Sequence, residues 1–208
     1  MSALSGSLSY QRFFVEHTLP RDFVTKSHDK ILAHAMRPLS PNEPEPERSG
    51  WCVLGEPLDL ELDRSRVFLD GFVNLGVRSD KWAIPSALFK TRIREVEQQE
   101  RARKERDRLG RKEKAEIKEV VTRELRKKIL PTVRVADLSW SLEEGVIRFF
   151  SHSKKSTLTM LELFEKTFGF EPIAESPHTQ ARRLSLSEDE LRAWEVIEPV
   201  SLAIGGGR

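Results

Sequence analysis

No proline interrupts residues 86–130, and the stretch is dense in Glu, Lys, Arg, Gln and Ala. Such residues favour helix, because straight side chains lose little rotamer freedom there. Pro85 suits a first helical turn, where its missing N–H costs nothing, and Pro131 bars continuation. A chain built around this segment must either bury it or hold it in water, and the side chains choose water. From Gln98 to Glu116 the only apolar side chains are Ala102, Leu109 and Ala115, and a helix polar on every face does not pack in a core. Apolar residues return toward the ends: Leu88, Ile93 and Val96 on one side, Ile117, Val120, Val121, Leu125 and Ile129 on the other. The spacing predicts a helical hairpin broken at Gly110, with helices over 86–108 and 111–130. Each would span roughly 30–35 Å at 1.5 Å per residue. The ends should dock on the body and the middle should project. One continuous helix through Gly110 is the alternative, since a single glycine costs only about 1 kcal/mol.

Charge singles out the same segment. Between Glu100 and Lys128 there are 13 Lys/Arg and 7 Asp/Glu, a surplus of +6 in a chain whose total is +2. The rest of the chain therefore sums to −4. The cations are Arg101, Arg103, Lys104, Arg106, Arg108, Arg111, Lys112, Lys114, Lys118, Arg123, Arg126, Lys127 and Lys128, and they form the candidate contact set for a polyanionic partner. A cationic projection gains affinity for phosphates by counterion release without reading bases, and arginine favours bidentate phosphate contacts. Plain solvation competes with this reading. Seven acids dilute the field, and Glu100–Lys104, Asp107–Arg111, Glu119–Arg123 and Glu124–Lys128 are i,i+4 pairs worth about 0.2–0.5 kcal/mol each to the helix alone. No aromatic lies between residues 90 and 139, so base stacking of the kind single-strand binders use is not expected.

The flanks read as an α+β fold, mostly antiparallel strands with packed helices. The expected division is an N-terminal α+β part over 1–84, the hairpin over 85–131 and a C-terminal ββα part over 132–208, with hairpin and flanks one continuous unit. Residues 7–16 read as a first strand and 22–36 as an amphipathic helix, with Phe23, Ile31, Leu32, Ala35 and Met36 inward. Residues 38–50, with four prolines and three glutamates, read as a solvated loop. Residues 66–78 read as one bent strand or two short ones around Gly71, with Val67, Leu69 and Phe72 inward. VRVADLSWSL and VIRFFSH around Glu143-Glu144-Gly145 form the strongest hairpin signal. A helix capped by Ser153 or Ser156 should follow, with Leu158, Leu161, Phe164 and Phe168 on period. A short strand is expected over 170–174, then a capping box at Ser187 and Glu190, and a frayed IGGGR end.

Catalytic chemistry finds little support. The five histidines, His17, His28, His34, His152 and His178, show no metal-ligand spacing. There is no phosphate-binding glycine loop, nucleophile motif or cofactor signature. Asp59, Glu61 and Asp63 would share one face of a strand, which reads as an exposed polar face before a cation site. Cys52 is the only cysteine and reads as a buried thiol in a reducing cytoplasm. No apolar run reaches the ~20 residues of a membrane span, and the N-terminus carries no secretory pattern. The expectation is a cytoplasmic protein that is not an enzyme and uses neither metal nor cofactor.

Several stretches in order resemble the RdgC family of bacterial recombination-associated DNA-binding proteins. They are SGWCVLGEP, the strand leading into KWAIPSALFKTRI, RKEKAEIKEVV within the charged pair, ILP at its end, the strands around Trp140, KKSTLTMLELFEKTFG and LSLSEDELRAW. The order holds from near the start to about residue 195. The resemblance implies a non-enzymatic, nucleoid-associated protein that forms a homodimeric ring around duplex DNA, binds with little sequence preference and restrains RecA-driven recombination. It implies that the basic hairpin residues face DNA or support the dimer. Two departures stand out. The family normally continues for about a further third of its length, so an open clamp or a monomer is an alternative to the ring. In ILPTVR, Arg134 occupies the place of an aromatic that the family uses in closing its dimer. A protein-docking arm is the competing function for the hairpin, and a nuclease acting through residues 59–63 is a third.

Overall fold

Alternation around Glu143-Glu144-Gly145 produces the hairpin it predicts. In the computed structural model, which describes residues 9–16, 18–184 and 186–197, β5 (Thr132–Ser141) and β6 (Val146–Phe149) pair antiparallel, with Leu138 opposite Phe149 and Trp140 opposite Ile147. These join a seven-stranded sheet. β1 (Gln11–Phe14), β2 (Glu47–Cys52), β4 (Phe72–Lys81) and β7 (Ile173–Ala174) take the order β2-β4-β5-β6-β1-β7, and β3 (Phe68–Leu69) also pairs with β4. Every strand pairing is antiparallel. With the helices packed against it, the sheet makes the expected α+β fold. His17, residues 7–8 of the first strand and the IGGGR end lie outside the described residues.

One face of the sheet carries the main core. Val73, Leu75 and Val77 of β4 alternate inward, beside Ala136, Leu138 and Trp140 of β5. Helices α1 (Phe23–Ala33) and α5 (Lys154–Phe168) cover them. Trp140 is fully buried and meets Phe23, Phe164 and Phe168 edge-on, with ring centroids 5.0–5.3 Å apart. Trp51 Nε1 donates to Thr167 Oγ1 at 2.9 Å, so the indole's polar edge is satisfied inside the core. On the opposite face Arg78 is bidentate to Asp80 and donates to the Pro57 carbonyl, a buried pair with its charges answered. Cys52 is fully buried, as expected, and burial pushes its thiol up to about 12.

Several local expectations are corrected. Val67 is inward but ends a short helix, α2 (Arg64–Val67), rather than a strand. Gly71 marks a two-residue turn between β3 and β4, not a bulge: Asp70 and Gly71 both have positive φ, 49° and 79°. That is the turn whose twist matches paired strands. It leaves Leu69 at the end of the ribbon, 56% exposed. Leu32 is 45% exposed, on the side of the first helix away from the buried Phe23, Ser27 and Ile31, and because that helix stops at Ala33, Ala35 instead bridges Trp51. Strand β2 begins at Glu47, inside the expected loop, and a Cβ on Gly50 would sit 2.6 Å from the Met36 backbone. In α5, capped by Ser153, the buried stripe is Met160, Leu163, Phe164, Thr167 and Phe168, while Leu158 is 61% exposed. Residues 59–63 are irregular, so their carboxylates share no strand face. Asp59 pairs with Arg66 at 2.7 Å, and Asp63 starts α2. Helix α6 (Pro177–Arg183) was not foreseen, whereas α7 (Glu188–Glu195) has the Ser187–Glu190 capping box. No helix among the described residues is long and apolar enough to cross a membrane.

Candidate nucleic-acid interface

The charged segment folds as two helices, α3 (Ser86–Arg103) and α4 (Arg111–Lys128), each about 27 Å long at 1.5 Å per residue. The continuous-helix alternative is not realised. Helix α3 ends five residues before the expected 108, and residues 104–110 form a turn in which Glu105 takes a positive φ of 50°. Gly110 starts α4, and its N–H donates to Glu113 Oε2 at 2.7 Å. Lys104 Nζ reaches Glu113 Oε1 at 2.7 Å, tying the end of α3 to the first turn of α4. The Lys104 ammonium, and then the Gly110 N–H, hold the Glu113 carboxyl below its usual range.

The two helices share a small core of their own. Leu109, Ile117, Val121 and Leu125 are buried, and Ile84, Phe89, Ile93, Val96 and Ile129 pack against them. None of these residues belongs to the core under the sheet. Phe89 takes the place expected for Leu88, and Val121 rather than Val120 faces inward. Leu109 folds back from the turn to close the end of this core.

The thirteen candidate cations separate into three kinds. Arg101 pairs with Glu97, Arg103 with Glu100, Lys104 with Glu113 and Glu100, and Arg123 with Glu119. Arg126 is corrected out of the exposed set. It is 8% exposed, donates to the Glu43 and Pro44 carbonyls, and lies 5.9 Å from the Trp82 ring centre. The remaining eight are Arg106, Arg108, Arg111, Lys112, Lys114, Lys118, Lys127 and Lys128. All are exposed and make no ion pair among the described residues. Only Glu105, Asp107 and Glu116 are similarly unpaired among the acids of this stretch. Six of the eight cations fall between Arg106 and Lys118, at the turn and the first half of α4.

That placement works against the helix. Arg111, Lys112 and Lys114 stand in the first turn of α4, where the macrodipole is already positive. Lys114 and Lys118 repel at i,i+4, as do Arg123 and Lys127. Of the four expected i,i+4 ion pairs, Glu119–Arg123 forms at 2.9 Å and Glu100–Lys104 at 3.9 Å. Asp107 sits in the turn, off the helix, and Glu124 reaches across to Arg92 at 3.4 Å. Lys90 and Arg94 of α3 are also exposed and unpaired. Sequence reasoning missed them because they precede the window of charge surplus, although they lie on the same hairpin.

The histidines are dispersed. His28 Nε2 donates to the Leu62 carbonyl at 2.8 Å, His34 Nδ1 to the Lys30 carbonyl at 2.9 Å, and His152 Nε2 lies 2.6 Å from Ser9 Oγ. Among the described residues no group of three or more His, Cys, Asp or Glu could hold a metal ion. No protein-family model and no curated protein matches the sequence.

Proposed function

We propose that this protein is a non-enzymatic, sequence-tolerant DNA-binding protein that grips duplex phosphates through the hairpin, from Arg106 to Lys118. The observation that carries the reading is the set of eight exposed cations without ion-pair partners, several placed against like charge or against the helix dipole. Solubility alone asks only for interleaved signs, and crowding like charges costs helix stability without adding to it. A polyanion that supplies the missing counter-charge accounts for the arrangement. With the RdgC resemblance, the reading extends to a nucleoid-associated homodimer that modulates RecA-dependent recombination. The test is a salt series of binding to unrelated duplexes, with similar affinities and a steep salt dependence expected. Absence of binding at about 50 mM salt overturns the reading, because phosphate contacts are strongest there.

A protein-docking arm is the second reading. A groove of about 260 Å³ at the hairpin tip has Val96, Leu109, Ile117 and Val120 in its lining, with Val120 46% exposed. Capture of a partner after nuclease treatment, by a protein with no DNA affinity of its own, would select it.

A further inference from the structure

The core face of the sheet changes character within one step of its pleat. Trp51, Val77 and Ala136 form a buried cross-strand row. The next row on the same face is Ser49, Ser79 and Arg134, and the one after it is Glu47, Lys81 and Thr132. Inward strand positions are ordinarily apolar. Here the two polar rows run out from under α5, and the first turns of that helix, with Lys155, Ser156 and Thr159, wall off a groove of about 350 Å³. The groove lies at the root of the hairpin, since Ala83 before α3 and Thr132 after α4 both line it.

Charge in the groove is unbalanced. Lys155 Nζ lies 2.5 Å from one Glu47 oxygen and Lys81 Nζ 3.7 Å from the other. Arg134, on β5 of the same sheet face, makes no ion pair or side-chain hydrogen bond among the described residues. Three cations thus face one carboxylate. The hydroxyls of Thr132, Ser156 and Thr159 likewise make no side-chain hydrogen bond among the described residues.

We infer that this groove binds the terminal phosphate of a phosphomonoester. Such a group carries close to two negative charges at pH 7 and three acceptor oxygens, matching the surplus of two cations and the unused donors. A carboxylate brings one charge and two oxygens, and a phosphodiester brings one charge. The groove lining contains no aromatic, so recognition falls on the head group rather than on a stacked ring. Arg134 supplies the planar fork for two phosphate oxygens. Glu47 holds Lys155 and Lys81 in place at the mouth. The phosphate belongs either to a small free phosphomonoester or to the 5′ end of a DNA strand. The inference is independent of DNA binding by the hairpin tip, which lies at the far end of both helices.

The test is calorimetric titration of the full chain with inorganic phosphate, an alkyl phosphomonoester and acetate. Duplexes ending in 5′-phosphate or 5′-hydroxyl are titrated in parallel. The monoester should bind about tenfold or more tighter than acetate and gain affinity as pH rises through about 6, where the second phosphate proton leaves. Arg134→Gln and Lys155→Gln should each weaken it by about tenfold or more, as loss of a charged hydrogen bond requires. Neutralising Arg106, Arg108 and Arg111 should leave it unchanged. An Arg134-dependent preference for the 5′-phosphate duplex assigns the groove to DNA ends, and equal binding of the two duplexes assigns it to a free monoester. Equal binding of monoester and acetate, or no binding of either, overturns the inference. So does an Arg134→Gln protein that melts like the parent and binds the monoester undiminished.

Discussion

Arg126 Nη1 donates to the main-chain carbonyl of Glu43, 83 positions earlier in the chain. Through this bond a residue of α4 grips the proline-rich loop before β2, while its guanidinium faces Trp82 just ahead of α3. Arg126→Met keeps the bulk and removes the donors. The variant should lose about 1–2 kcal/mol in chemical denaturation, the range for hydrogen bonds from a charged group to carbonyls that water can partly resatisfy. Faster exchange of the Glu43 amide, which donates to the Ser40 carbonyl, should accompany the loss, with salt-dependent DNA affinity little changed. Unchanged exchange in that loop would show that Arg126 does not anchor it.

Neutralising Arg106, Arg108, Arg111 and Lys114 to Gln should act on affinity and not on the fold, since all four are exposed and unpaired. Each phosphate contact contributes about −0.9 to the slope of log affinity against log salt. The fourfold variant should therefore show a slope shallower by about 3 to 4, with binding weakened alike on unrelated duplexes. Its thermal melting should rise slightly or hold, because repulsion at the start of α4 is relieved. A slope equal to the parent's would remove these residues from the interface.

Cys52 should resist thiol reagents in the native protein. With its thiol pushed up to about 12 by burial, the reactive thiolate at pH 8 is about one part in ten thousand. Access also requires opening of the sheet. Labelling should be slow in buffer and become fast and stoichiometric in denaturant. Rapid native labelling would mean that the β2 edge opens without global unfolding.

The hairpin turn should loosen in acid. Glu113 has a folded-state carboxyl held below its ordinary value of 4.5 by Lys104 and the Gly110 N–H. Its contribution is therefore present above that value and lost as pH falls through the lower folded one. The Gly110 amide proton should follow the transition by NMR with a midpoint below 4.5. In Glu113→Gln the signal should be flat with pH. A midpoint at or above the ordinary value would show that the Lys104–Glu113 contact does not persist in solution.

Much of the fold was legible because its signals are local. The β5–β6 hairpin follows from period-two alternation and a turn, and α5 from its Ser153 cap and helical spacing. Loose three-and-four spacing puts Leu32 and Leu158 inward, but at 3.6 residues per turn each falls on the side of its helix away from the buried stripe, whereas the exposure of Leu69 follows from the turn that ends its strand, which no local period encodes. The charge surplus at the hairpin was visible in a count, but its division into paired and unpaired cations was not. Arg126 reads like Lys127 and Lys128 until the loop at Glu43 is brought beside it. The groove left only a faint trace: Ser79 and Lys81 occupy positions that the alternation of Val73, Leu75 and Val77 assigns to the core.

Because the hairpin's core and the sheet's core share no residue, the span between the turn and the sheet can be altered without disturbing the core of the sheet. Removing or adding seven residues in both helices, with the stripe kept in phase, would shift the turn by about 10 Å relative to the sheet. The arm is in this sense a ruler whose length natural variation can adjust, while the sheet at its base keeps its shape.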